Sequence, residues 1–567
     1  MKCLHKRTIW QTVAILVLSA MPAVQAQETR SSLPGVFSEV LDVRVVNLEV
    51  VVTDRDGVPI FGLAPQAFDL EIDGEVVPIE YFSEVRAGVA GTETGEASVV
   101  PGLPSLVAGE PVGTSYLVFI DEFFSIARDR DQVLEALKSD LPLMGPEDRM
   151  AIVAFDGSDL EMITTWSQSV PELERAIEAA LERPAFGLQR LAEQRQFNYD
   201  RTLSALSSIR AGEFTTDAFL RTQLDPDERF YLERLTDQVS RSVTASASTL
   251  RSFAEPPGRK VMLLMSGGWP FFPATFLGPD VSPTVLSWEL ADGQALFRPL
   301  TDTANLIGYT LYPVDVPGFN DLLANESSIL RDPRVQEVAR TGLRGDDAFL
   351  RQQEVHYTLN FLARQTGGTS FINSERLNAF SGTVSDTRSY YWIGFTPDRE
   401  WDDRRHKIEV SVKEKDFRVR SREGFLDSSR RHEVAMALES TLLFGNPGGQ
   451  GSLMVNLGEP KKKGRKKMEV PVTLLIPLDE ITFLPSEQGE VAQIELMVAV
   501  RDEQGRRSDI PAVPMAFQAP GEGEPGAFGS YEFALKVRRQ RSDAVIAVVD
   551  TTSGRILSAS VEIEPME

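Results

Sequence analysis

The sequence predicts an α/β protein: a doubly wound, mainly parallel sheet, flanked by an N-terminal β-module and a C-terminal β-sandwich. Three observations carry this. Between about residues 114 and 426, short continuous apolar runs alternate with stretches of helical periodicity. That is the pattern of strands buried on both faces of a parallel sheet and joined by helical crossovers. Over residues 40–85 apolar and polar residues mostly alternate, and Asp-Gly turns punctuate them. From about Arg431 to residue 567 the strand pattern returns without crossovers.

The chain has 567 residues, room for about three to four domains at roughly 150 residues each. In the first module Val43, Val45, Leu48, Val50 and Val52 read as a half-buried strand, and Phe68 to Ile72 as another. Asp54 to Gly57 and Asp73-Gly74 are the turns. Residues 86–113, rich in Gly, Pro, Ser and Glu, read as a linker. The α/β region, 114–426, opens on the run Tyr116 to Ile120, which ends in Asp121. Met150 to Phe155 is the next strand, with Met162 to Trp166 as its hairpin partner. Ser169 and Glu172 have the spacing of a capping box. Residues 184–255 are a long helical insertion, closed by Pro256-Pro257-Gly258. Val261 to Met265 and Tyr309 to Val314 are further buried strands. Residues 269–300 read as a long Pro- and aromatic-rich loop, and 317–350 as irregular chain. Thr369 to Ile372 is a short strand; Tyr390 to Phe395 and Ile408 to Val412 are expected to extend the same sheet. Within 431–567 the strand runs are 470–477, 491–500, 531–537 and 544–549, in an immunoglobulin- or fibronectin-like sandwich with a loop at 519–526.

Residues 1–26 read as an export signal: Lys2, Lys6 and Arg7, then an apolar stretch from Thr8 to Ala20, then Val24-Gln25-Ala26 at the cleavage site. The stretch is too short to span a bilayer, and no later run approaches ~18 apolar residues. Its removal takes Cys3, the one cysteine, so the mature chain has no thiol chemistry and no disulfide. The expected address is the periplasm or the extracellular space. The formal net charge is −25, which repels a phosphate backbone and argues against nucleic acid as a partner. The basic run Lys461 to Lys467 reads as a solvated hairpin loop.

Several segments together resemble a known family. They are Val51-Val52-Thr53-Asp54 with Gly57, Pro257 to Lys260 leading into Met265-Ser266-Gly267-Gly268, and Leu362-Ala363 with Thr366-Gly367-Gly368. Tyr390-Tyr391 with Gly394-Phe395 and Pro397, and Arg420, Arg422 and Gly424-Phe425, complete the set. In this order they resemble the von Willebrand factor A-related domain proteins exported by bacteria, over roughly residues 40–426. The resemblance implies a six-stranded doubly wound sheet whose ligands bind at the carboxyl ends of the strands. It also implies a divalent-cation adhesion site there, built from Asp-x-Ser-x-Ser after the first strand, a loop Thr, and an Asp after the fourth strand.

Mapped onto this chain, the site is degenerate. Asp121 and Ser125 match, but Phe123 stands at the middle Ser and Ser266 at the fourth-strand Asp; Thr202 is the candidate loop Thr. Phe cannot coordinate a cation. The expectation is therefore no cofactor, with Mg2+ or Mn2+ on Asp121, Ser125, Ser266 and Thr202 as the alternative. Phe123, Phe124, Trp269, Phe271 and Phe272 are expected as an apolar binding patch near the crevice, with core packing as the competing reading of each.

No catalytic motif is present. The mature histidines, His356, His406 and His432, form no His-Glu-x-x-His, and there is no Gly-x-Ser-x-Gly elbow or P-loop. The function expected is non-catalytic binding of a protein partner of unknown identity, as an exported scaffold. The alternatives are a metal-dependent adhesin with a reduced site, and an envelope enzyme using an unrecognised carboxylate pair.

Overall fold

The computed structural model describes residues 45–91, 109–210, 224–254, 258–277, 293–316, 347–397, 402–414, 416–444, 453–486, 489–503, 508, 510–518 and 527–565. The expected export signal, the loop at 519–526, residues 278–292 of the Pro-rich loop and residues 317–346 lie outside them. The chain divides into two compact units, Val43–Asp427 and one that includes Ser428–Glu567.

The first unit begins with β1 (Val46–Thr53), β2 (Phe68–Ile72), β3 (Glu75–Val76), β4 (Tyr81–Arg86) and β5 (Val89–Ala90). Its α/β part contains β6 (Thr114–Asp121), α1 (Ala127–Asp140), β7 (Arg149–Phe155), β8 (Leu160–Ser167), α2 (Val170–Leu181), α3 (Gly187–Arg210) and α4 (Pro226–Ser252). After these come β9 (Arg259–Ser266), α5 (Gly293–Ile307), β10 (Tyr309–Asp315), α6 (Asp347–Thr366) and α7 (Ala379–Thr387). The unit ends with β11 (Tyr390–Phe395), β12 (Arg405–Val412), β13 (Arg418–Arg420) and β14 (Gly424–Leu426).

The central sheet is mixed, in the order β10-β9-β6-β7-β8. β6 pairs in parallel with β7 and β9, and β9 with β10; β8 returns antiparallel to β7. Phe371 adds a single parallel bridge to Val314. Every residue of β6, β9 and β10 is buried, which is why these strands read as unbroken apolar runs. Both faces are covered. Tyr116, Val118 and Ile120 join α1, α2 and α7 in one core through Leu134, Ile177 and Phe380. On the other face α4 packs on β6 and β7, while α5 and α6 pack on β10. Ser169 is the residue before α2 but caps nothing with its side chain; Glu172 instead accepts from the Ser167 hydroxyl at 2.6 Å. The capping box present is Asp225 with Glu228, at the start of α4.

Two expectations about the flanks are corrected here. First, Tyr390–Phe395 and Ile408–Val412 do not extend the central sheet. β11 lies between β1 and β4, antiparallel to both, in the sheet β13-β1-β11-β4-β5. β12 pairs with β2 in the second sheet, β14-β12-β2-β3. The two sheets enclose one core that includes Leu48, Val50, Phe68, Leu70, Tyr391, Ile393 and Ile408. Alternation predicts a strand but not its partner, and these partners are more than 300 residues apart. Second, the ends of the 86–113 linker are themselves paired. Ala90 N–H donates to Glu110 O at 3.0 Å and Val112 N–H to Gly88 O at 2.8 Å. Residues 92–108 of the linker lie outside the described residues.

The second unit starts with a helix, α8 (Arg430–Phe444), where only strands are expected. Its strands are β15 (Met454–Leu457), β16 (Lys461–Lys462), β17 (Lys467–Pro477), β18 (Leu484–Ser486), β19 (Gly489–Asp502), β20 (Ala512–Gln518), β21 (Phe528–Arg538), β22 (Ser542–Asp550) and β23 (Ile556–Ile563). They form two antiparallel sheets, one around β17 and one around β19 and β22. Val470, Val472 and Leu474 of the first meet Ile494, Leu496, Ile546 and Val548 of the second. The opposite side of β19 and β22 is covered by Val434, Leu438 and Leu442 of α8, so both strands are buried on both faces. Lys461 to Lys467 form an exposed hairpin, as expected.

The strand order makes a direct prediction. Residues 43–113 alone lack β11, so β1 and β4 have no strand between them. That polypeptide should give a coil-like far-UV circular dichroism spectrum and no cooperative melt. A cooperative transition in it would contradict the pairing.

Candidate functional site

The carboxyl ends of β6, β9 and β10 meet at one edge of the central sheet, where the chain turns out of the buried strands. Asp121 is the last residue of β6 and is fully buried. Its Oδ2 accepts from the Ser266 hydroxyl at 2.8 Å and from the Trp269 indole N–H at 2.7 Å. Its Oδ1 accepts from Phe124 N–H at 3.3 Å. Burial pushes its pKa up to about 7, although each of these donors opposes the shift.

Ser125 is also fully buried, but it does not face the carboxylate. Its hydroxyl donates to the main-chain carbonyl of Asp121, and its own carbonyl accepts from Gly187 N–H at 2.9 Å. A Cβ on Gly187 would lie 2.5 Å from that carbonyl, so the close approach requires glycine. Thr202, the expected loop ligand, lies within α3, and its side chain is outside the described residues.

Asp121, Ser125 and Ser266 thus come together, but as a hydrogen-bonded cluster closed by an indole. An N–H donor cannot coordinate a cation, and the Ser266 hydroxyl and Trp269 indole together take both lone pairs of Oδ2, with Phe124 N–H on Oδ1. The residues present do not fit Mg2+ or Mn2+ in this arrangement.

Burial divides the expected aromatic patch, with core packing holding for most of its members. Phe124 and Trp269 are fully buried and Phe271 is 2% exposed. The Phe124 ring fills the space over Gly268, where a Cβ would meet it at 2.3 Å. Phe123 is half-buried, under the Arg190 guanidinium at 4.6 Å. Only Phe272 is largely exposed, at 45%. Beside it is a residue the sequence did not single out: Tyr357, 49% exposed, stands edge-on to Phe271 at 4.6 Å. Phe272 N–H donates to Glu354 at 3.1 Å, and burial raises the Glu354 pKa against that bond.

Two further pairs lie near this edge. Glu122 is fully buried and takes a two-pronged contact from Arg183, at 2.6 and 3.0 Å. Arg130 stands 3.8 Å from the same carboxylate and holds the Arg183 carbonyl at 2.9 Å, which fixes the turn that carries Arg183. Burial raises the Glu122 pKa, with Arg183 opposing. Asp315, at the end of β10, is 3.2 Å from His356 of α6. Its place after a buried apolar run repeats that of Asp121, and this was its one sequence signal.

No family model matches the chain, and no curated protein matches it. Solved structures give weak likenesses. A structural-genomics target, SoR45, is 17% identical, with 20% of this chain and 85% of that chain covered and a TM-score of 0.14. A Bacteroides uniformis β-glucuronidase is 10% identical over 32% of this chain and 19% of its own, with a TM-score of 0.14. The pilus adhesin SpaC of Lactobacillus rhamnosus GG is 10% identical over 75% and 53%, with a TM-score of 0.19. Among the described residues no helix is long and apolar enough to cross a membrane.

Two measurements test the site. A carboxyl whose folded pKa is raised from 3.8 to about 7 stabilises the fold below pH ~4 and loses that contribution as pH rises towards 7. In urea titrations the gap between wild type and Asp121→Asn should therefore shift in favour of the variant from pH 4 to pH 7, by at most ~1.4 kcal/mol per pH unit. A gap that stays constant would rule out a titrating Asp121. Separately, Arg183→Met leaves the buried Glu122 without its main partner and should cost about 3–5 kcal/mol at pH 7.

Proposed function

We propose that the first unit is a von Willebrand factor A-like binding domain of an exported, non-catalytic scaffold protein, and that it engages a protein partner without a bridging cation. Support for the A-like reading comes from the sheet order, from the single antiparallel strand next to β7, and from the position of Asp121 at the carboxyl end of the middle strand. One observation carries the cation-independent reading: the Asp121 carboxylate is already engaged by Ser266 and by the Trp269 indole. A carboxylate that ligates a divalent ion directly must offer it an oxygen lone pair.

The recognition surface in this reading is the rim of the crevice, not its floor. Phe272 and Tyr357 present apolar area there over the buried Phe271 and Phe361. Aromatic residues backed by a packed layer lose little conformational entropy on binding, which suits them as interface anchors. Phe123 is half-buried under Arg190, while Phe124, Trp269 and Phe271 act as the support beneath.

The test has two parts. Thermal unfolding of the chain in rising Mg2+ should show no saturable shift that Asp121→Asn removes; such a shift would restore the metal-dependent adhesin. Binding of envelope proteins to the immobilised chain should be the same with and without Mg2+. It should fall at least tenfold in Phe272→Ser/Tyr357→Ser, a double variant at exposed positions. Binding unchanged in that variant would move the interface elsewhere.

A further inference from the structure

We propose that Asp402, His406 and Asp427 form a binding site for a divalent transition-metal ion, with zinc as the ion that best matches their ligand set. The site lies in the β-part of the first unit and is independent of the crevice at Asp121. Its three ligand atoms all lie within 4.8 Å of one another.

The strands deliver these residues to one place. His406 is on β12 and faces Phe425 of β14 across the ladder. Asp427 follows β14 by one residue, and Asp402 precedes His406 by four. The two ends are also tied through the main chain. Asp403 N–H donates to Asp427 O at 3.0 Å, and Asp427 N–H to Arg404 O at 2.9 Å. Asp402 is oriented by Arg404 N–H, which donates to its Oδ1 at 2.8 Å.

The imidazole is held as metal-binding imidazoles are held. Its Nδ1 lies 2.7 Å from Asp73 Oδ2. A carboxylate on one ring nitrogen fixes the ring and the tautomer, and leaves the other nitrogen to the metal. Asp73 is itself tied to the strand beside it. It sits in the turn between β2 and β3 at a φ of 53°, followed by Gly74 at 86°. Its main-chain N–H donates to Lys407 O at 3.0 Å, and its Oδ1 accepts from Lys407 N–H at 2.9 Å. The outward nitrogen, Nε2, lies 3.1 Å from Asp402 Oδ1. With metal bonds of roughly 2.0–2.1 Å, neighbouring ligands of a tetrahedral ion sit about 3.3 Å apart. That pair already spans one edge of such a tetrahedron.

Burial and charge agree with this. His406 and Asp427 are buried, whereas Asp402 is exposed, so the site opens on one side and the fourth position is left to water. Two carboxylates offset the charge of a divalent ion. One imidazole with two carboxylates favours zinc over magnesium, which takes oxygen ligands. Nothing in the crevice reading requires this ion.

The experiment is calorimetric titration of the metal-stripped full chain with ZnCl2, with CoCl2 absorption as the second readout. We expect one ion per chain and the visible bands of a tetrahedral cobalt site. Asp402→Asn, at an exposed position, should abolish both. Asp73→Asn should weaken zinc binding by roughly 10–100-fold, because it acts only through the imidazole. His356→Gln and Asp121→Asn should bind as wild type. The proposal is overturned if the wild type takes up no zinc with one-to-one saturation, or if Asp402→Asn binds zinc as well as wild type. In either case the cluster is a hydrogen-bonded brace between two strands.

Discussion

Strand β11 is the element on which the first unit depends. It supplies the middle of a sheet, its two direct neighbours β1 and β4 lie more than 300 residues earlier, and it is buried on both faces. Tyr391, Ile393 and Phe395 point into the core shared with β2 and β12, while Tyr390 and Trp392 point to the opposite side. On that side the buried Arg259, the first residue of β9, lies over the Tyr390 ring at 4.0 Å and 3.4 Å from Glu49 of β1. A guanidinium taken out of water needs such partners. The α/β sheet and the β-part are thereby held by one set of groups, and the chain has no natural cut between them. Both belong to the compact unit Val43–Asp427.

The division of labour inside this unit follows from the strands. Central strands buried on both faces leave chemistry only at their ends, and Asp121, Ser266 and Asp315 are all strand-end residues. Each is polar, each is nearly inaccessible, and each is satisfied locally. A buried polar group has two stable fates, to be paired inside the protein or to meet a ligand. At Asp121 the pairing is internal. At the start of β12 and the end of β14, the buried His406 and Asp427 lie beside the exposed Asp402.

How much of this was readable follows from the kind of signal each feature leaves. Runs such as Tyr116 to Ile120 and Val261 to Met265 have one physical explanation, a strand covered on both sides, and they specify the α/β sheet. The residue closing such a run, Asp121, is readable as a strand end for the same reason. Pairing is not readable, because alternation at Ile408 to Val412 is the same whichever neighbour the strand takes. Exposure of single aromatics is not readable either: Phe271 and Phe272 are adjacent, yet one is 2% and the other 45% exposed. Trp269 left no sign that its indole would close the Asp121 site, since that depends on how the loop after β9 folds back. The Asp402, His406 and Asp427 group is split between the start of β12 and the residue after β14, and its spacing matches no motif. Arg183 lies 61 residues from Glu122, so only the fold shows the ion pair.

The contact between Trp269 and Asp121 has an optical consequence. The indole nitrogen is 2.7 Å from a carboxylate oxygen, and both side chains are fully buried. At that distance, and with little dielectric screening, the charge on the carboxylate acts directly on the ring's excited state. Trp269 is one of six tryptophans, and its near-ultraviolet absorption and emission follow the ionisation of the group it covers. The closed crevice therefore carries its own chromophore: any partner that lifts the loop after β9 separates dye from charge, and the fluorescence of the unlabelled protein registers it.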